Sequence, residues 1–296
     1  MSDAGARLLA RARATGARSL AVVGTGKNAG KTVAVAAVCA ALQAERTPFG
    51  LCSIGRDGET VDALEAIPKP RYFLREGTLL ATAALLLPRH PAVEVIEMRD
   101  ERGALGPIAI VRVRAAGFVE IAGPSSASAL RRVVERLIEL AGFCLIDGAV
   151  NRIAALRNGN DAIVVAAGAT AATQAHAVDD ARALVARLRL PQFDAALPAL
   201  RVSGALTAEM ATELVRAGER RQVVVSDPTQ VAFAGRAFLA LASQLELRCE
   251  RELRPIACTV APRSPQHAFE PRSFLRAVAA ATGLPAYDVY AGEEVA

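Results

Sequence analysis

Residues 19–32 read SLAVVGTGKNAGKT. The first six, Ser19 to Gly24, form a short apolar run with β-branched residues, the pattern of a buried strand. Lys31 to Arg46 is Ala-rich and predicts a helix. Between them lies a glycine-rich turn, Gly24 to Thr32. Strand, glycine-rich turn and helix together make the context in which backbone N–H groups cradle phosphate at the positive end of a helix. The closing Gly-Lys-Thr assigns Lys31 to the β/γ-phosphates and the Thr32 hydroxyl to Mg²⁺. Gly26, Asn28, Ala29 and Gly30 are the expected backbone donors, and the whole loop from Gly24 and Thr25 through Lys27 to Val33 is the expected cofactor-binding segment. Its spacing departs from GxxxxGK[ST]. Thr25 stands five residues before Gly30, and Gly24 six before, so the loop is one residue longer.

Lysine usage bears on the same loop. Of 35 basic residues only Lys27, Lys31 and Lys69 are Lys, and two of them lie in the loop. Arg serves wherever any positive charge suffices; a compact ammonium on a slim stem is kept where it is needed.

Outward from the loop, Gly50 to Ile54 predicts a second strand that ends in Gly55-Arg56-Asp57-Gly58-Glu59. Ligands of open α/β sheets sit beyond the carboxyl ends of strands. Asp57 is therefore expected to hold Mg²⁺ or to orient an attacking water, with Glu59 and Asp62 as secondary candidates. Phe143 to Ile146 predicts a buried strand with an acidic tip, Asp147, placed to reach Mg²⁺ through water. Asn151 and Arg152 follow closely. Lys31 and Asp57 are the expected catalytic residues; Thr32, Asp57 and Asp147 are the expected metal ligands. Ser125 and Ser126 follow Gly123-Pro124 without a GxSxG elbow, so they read as helix caps. Asp227-Pro228-Thr229 reads first as an N-cap.

The rest of the chain alternates strands and helices, which predicts an α/β fold with a mostly parallel sheet and helices on both faces. A helix is expected within 71–87 after a short strand, a β-hairpin from 108–113 and 118–121, and helices over 128–140, 172–188, 207–216, 230–245 and 271–281. The pattern restarts after Pro198. We expect a nucleotide-binding domain over 1–198, with a hairpin insertion near 93–123, and a smaller α/β domain over 199–296.

Composition narrows the function classes. The 296 residues are 52% hydrophobic and 22% charged, the balance of a folded chain. No apolar stretch reaches the roughly 18 residues of a membrane span. The net charge of +5 is scattered and aromatics are only 4%, which reads as a solvated basic surface and not as a nucleic-acid track. Five cysteines form no CxxC pair; Cys39, Cys52, Cys144 and Cys258 lie in apolar runs and read as small buried hydrophobes in a reducing, cytoplasmic compartment. Three dispersed histidines argue against zinc.

The lengthened loop resembles the GT-xxxx-GKT form of dethiobiotin synthetases, within the class of P-loop proteins that includes MinD-type and cobyric-acid-synthase-type enzymes. IDGA at Asp147 and Lys69-Pro70 resemble elements of the same enzymes. MinD-type loops carry a second Lys where this chain has Gly26; here the extra Lys is Lys27, which either touches phosphate or faces solvent. Several phrases in order, among them SIGRDGE, EGTLLATAA, IAGPSS, LIDGAVNR, AAGAT, SGALT, VVVSDPT and TVAPRSP, are similar to P-loop proteins of the systems that reactivate adenosylcobalamin-dependent lysine 5,6-aminomutase. That resemblance implies an ATP- and Mg²⁺-dependent accessory protein. Its expected partners are a nucleoside triphosphate and a protein, such as an aminomutase or a second reactivase subunit, with homo-oligomerisation left open. The alternatives are an ATP-dependent ligase of dethiobiotin-synthetase type and a nucleotide-sensing module without turnover.

Overall fold

A computed structural model describes residues 3–53, 71–89, 92–148 and 161–295. The fold is α/β, with a large, mostly parallel sheet flanked by helices. The chain divides into two compact units, Met1–Val22 with Lys31–Ala155 and Val23–Gly30 with Leu156–Ala296.

In the first unit, helix α1 (Ala4–Ala14) precedes strand β1 (Ser19–Gly24), helix α2 (Lys31–Ala44) and strand β2 (Gly50–Ser53). Strands β3 (Arg71–Leu74), β4 (Leu79–Ala83), β5 (Val93–Gly103), β6 (Gly106–Val113) and β7 (Gly117–Glu120) follow, then helix α3 (Ala127–Ala141) and strand β8 (Cys144–Asp147). The strand order is β1-β8-β2-β4-β6-β5. β1, β8, β2 and β4 run parallel, while β6 is antiparallel to both β4 and β5. Residues 19–23 of β1 and all four of β2 and of β8 are buried, as expected of parallel strands covered on both faces. Gly5 lets α1 lie on α2, because a Cβ there would strike the Ala37 carbonyl. Ser126 caps α3 by accepting from the Ala129 N–H at 3.2 Å, the capping role expected of this serine pair.

The second unit holds the segment Val23–Gly30, strand β9 (Asp161–Gly168) and helix α4 (Gln174–Leu188). Strand β10 (Ala199–Arg201), helix α5 (Ala208–Arg216), strand β11 (Gln222–Val225), helix α6 (Gly235–Ala242) and strand β12 (Leu247–Cys249) come next. Strand β13 (Pro255–Ala261), helix α7 (Pro271–Thr282) and strands β14 (Ala286–Asp288) and β15 (Glu294–Val295) complete it. One set of strands is ordered β15-β14-β13-β9; β10-β11-β12 form a separate parallel sheet. That small sheet has its own core, in which Leu206, Val223, Val225, Val231, Phe233 and Phe238 are buried. Asp227 caps the turn at Pro228–Gln230 by accepting from the Thr229 N–H at 3.0 Å, as its sequence context predicts.

Three local expectations are corrected. Residues 71–87 hold no α-helix; they form β3, β4 and the start of a 3₁₀ turn over Ala84–Arg89. The Leu- and Ala-rich run has helical propensity, but all of β4 is buried between two strands, and tertiary pairing overrides the local preference. The hairpin joins β5 to β6 through a turn next to Gly106, whose φ of 95° suits glycine; β7 pairs instead with β3. Period-2 patterning marks strands but not their partners. The helix expected over 230–245 starts only at Gly235, whose φ of 56° breaks the preceding path. No helix among the described residues is long and apolar enough to cross a membrane.

Candidate functional site

The expected phosphate loop is the turn between β1 and α2. Its residues Val23–Gly30 belong with the second unit and Lys31 and Thr32 with the first.

In the second unit the loop is pinned by β9. The Thr25 N–H donates to the Ala166 carbonyl at 3.0 Å. Asn28 and Gly30 adopt left-handed backbone, with φ of 63° and 90°. Left-handed residues within a tight turn help direct successive N–H groups toward one concavity, the kind of nest that holds anions. Ala29 is buried beneath the turn, while Lys27 and Asn28 are exposed. The glycines around it are required by contact. A Cβ on Gly30 would stand 2.8 Å from the Ala261 Cβ, and one on Gly168 would stand 2.5 Å from the Ala29 Cα. The Thr25 hydroxyl is buried and has no hydrogen-bond partner among the described residues.

In the first unit, Lys31 and Thr32 open α2, and Asp147 ends β8. The parallel register sets Asp147 beside Val22 on one side and Ser53 on the other, at the carboxyl ends of all three strands. Burial pushes the Lys31 ammonium below its ordinary value, and the Asp147 charge partly offsets this. Burial pushes the Asp147 carboxyl up, opposed by a hydrogen bond from Tyr72 and by the Lys31 charge. The Tyr72 hydroxyl donates to Asp147 Oδ2 at 2.6 Å, and Tyr72 is 1% exposed. Its own ionisation is pushed far up by burial and by the neighbouring Asp147 charge. The Cys39 thiol is pushed up first by burial and then by Asp147.

Thus the first unit brings together Lys31, Thr32, Asp147 and a residue the sequence reading missed, Tyr72. The signal was available: a Tyr on a buried strand position needs a partner for its hydroxyl. Gly168 was also missed as a loop-supporting residue, although its Ala-Ala-Gly-Ala-Thr context was noted. Asp57, Glu59, Asp62, Lys69, Asn151 and Arg152 lie outside the described residues. All five cysteines are buried and none forms a disulfide.

The expected phosphate loop implies a Mg²⁺ ion. Thr32 and Asp147 offer hard oxygen donors of the type Mg²⁺ takes. Burial of Asp147 leaves a carboxylate short of compensating positive charge, which a cation would supply. No group of three or more His, Cys, Asp or Glu that could hold a metal occurs among the described residues. Mg²⁺ is commonly bound by one or two carboxylates together with substrate phosphates, so the residues present fit it as a nucleotide-borne ion.

Comparison of the chain with protein-family models, curated proteins and solved structures finds no match.

Proposed function

We propose that this chain binds ATP as its Mg²⁺ complex at the Gly24–Thr32 loop and hydrolyses it as an accessory to a protein partner in the cytoplasm. The observation that supports the reading best is the pairing of a half-buried Lys31, at the start of a helix that follows a glycine-rich turn, with a buried Asp147 at a strand end.

In this reading the loop N–H groups from Gly26 to Gly30 hold phosphate oxygens. Lys31 places a desolvated ammonium against the β/γ-phosphates, where water does not screen it. Thr32 and Asp147 hold Mg²⁺, the latter directly or through water. When bound, the metal neutralises charge on the phosphate oxygens. Asp57 is proposed as the residue that orients the attacking water. An aminomutase or second reactivase subunit is the proposed partner class, on the strength of the ordered phrases along the chain.

Calorimetric titration with ATP, with and without Mg²⁺, tests the reading. The expected result is saturable binding that Mg²⁺ strengthens and that Lys31→Ala abolishes. ATP binding that survives unchanged in a folded Lys31→Ala protein would overturn the assignment. ADP release that depends on a small carboxylate or amine and on no protein would redirect the proposal to a ligase.

A further inference from the structure

Tyr72 engages Asp147, one of the two described side chains proposed to hold Mg²⁺. Its hydroxyl donates to Asp147 Oδ2 at 2.6 Å. A phenol has one proton, and here it is committed to the carboxylate. That bond fixes one carboxylate oxygen and leaves the lone pairs of the other for a cation. The ring is held in place from its own strand. Tyr72 pairs with Val119 in the β3–β7 ladder and is buried, while the next residue, Phe73, points outward at 49% exposure.

We propose that Tyr72 is a positioning residue for the divalent cation: its hydroxyl donates to Asp147 and holds the carboxylate in the orientation that receives Mg²⁺. The inference rests on the proposed function, since it assigns Tyr72 a role at the same site. It separates two properties of that site. The loop and Lys31 hold phosphate whether or not metal is present; Tyr72 acts only through the metal-holding Asp147. Outer partners of metal ligands typically contribute about 10–100-fold in metal affinity. Tyr72→Phe preserves the buried ring and removes only the bridging oxygen. Asp147 then loses a donor.

The test is calorimetric titration of wild type and Tyr72→Phe with ATP in excess EDTA, and then with Mg²⁺ in the presence of ATP. The expected result is unchanged ATP affinity in EDTA and a roughly 10–100-fold rise in the Mg²⁺ concentration that half-saturates the effect. Overlapping Mg²⁺ curves for the two proteins, with normal ATP binding by both, would overturn the role of Tyr72 and leave the nucleotide reading standing. Absence of ATP binding by wild type would overturn both. If Tyr72→Phe does not fold, a Tyr287→Phe/Tyr290→Phe protein serves. The chain has three Tyr and no Trp, so Tyr72 is then its only long-wavelength emitter. Its emission should change as Mg²⁺ is added to the ATP-bound protein, with the same midpoint as binding. A flat emission trace across a saturating Mg²⁺ titration would overturn the inference.

Discussion

Gly168 lies so close to Ala29 that a Cβ on it would stand 2.5 Å from the Ala29 Cα and 3.1 Å from the Asn28 carbonyl oxygen. Backbone cannot swing aside as a side chain can, so Gly168→Ala must move the loop. We expect ATP affinity to fall by at least about 10-fold, with an overpacking cost of about 1–3 kcal/mol in stability. ATP titration and urea unfolding measure the two effects separately. Unaltered affinity would show that the segment over β9 is not the phosphate cradle.

Lys31→Arg keeps the positive charge and changes its shape. A planar guanidinium on a longer stem does not replace a compact ammonium, so ATP affinity should fall at least about 10-fold although the charge is conserved. The chain uses Arg at 32 of its 35 basic positions, which makes the choice of Lys at this place informative. Wild-type affinity in Lys31→Arg would reduce that choice to chance.

Asp147→Asn should stabilise the fold while removing the strengthening of ATP binding by Mg²⁺. Burial raises the native Asp147 value above the ordinary carboxylate value of 3.8. Between those two values the folded chain binds more protons than the unfolded one, so the wild-type penalty is full at neutral pH and fades as pH falls through the raised native value. Asn has no such penalty and can still accept from Tyr72. Losing the Asp147 charge deepens the desolvation of Lys31, so the net gain is expected to be only about 0.5–1 kcal/mol at pH 7.5. The gain should shrink toward pH 4 in chemical unfolding. An Asp147→Asn protein less stable than wild type at pH 7.5 would mean that ion pairing outweighs burial here.

Glu101, 5% exposed, accepts from Arg99 Nε at 2.9 Å and from Arg132 Nε at 2.7 Å. Burial pushes its carboxyl up, but these bonds outweigh burial and hold it at about 2. A depressed carboxylate contributes stability that is complete above the ordinary value of 4.5 and is lost as pH falls toward 2. Arg132 is 56% exposed, so solvent screening trims the effect. Glu101→Gln should cost about 1–2 kcal/mol at pH 7, with the difference narrowing as pH falls from 4.5 toward about 2. A constant difference across that range would point to packing instead of charge.

The strand–loop–helix from β1 to α2 and the acidic tip of β8 were legible because each is local. A buried strand needs an apolar run, a tight turn needs left-handed backbone, and an acidic residue after an apolar strand stands out within a few positions. The serine cap at Ser126 and the Asp227 turn were legible for the same reason. The strands over 71–83 were not. Their residues alternate or run apolar in ways a helix also permits, and what decides between the two lies far along the chain: β7 for Arg71–Leu74, and β2 and β6 for Leu79–Ala83.

The amino-acid sequence by itself determined the α/β class, the place of the glycine-rich loop, and the identity of Lys31, Thr32 and Asp147 as the residues to examine. These follow from composition and from patterns within about ten residues. Only the tertiary structure decided that Asp147 lies buried in the same unit as Lys31, that the Tyr72 hydroxyl donates to Asp147, and that Gly168 must be glycine. Each of those depends on strand register and on contacts between segments 40 or more residues apart, where side-chain packing and the need to satisfy a buried hydroxyl select one arrangement among many that local preference allows.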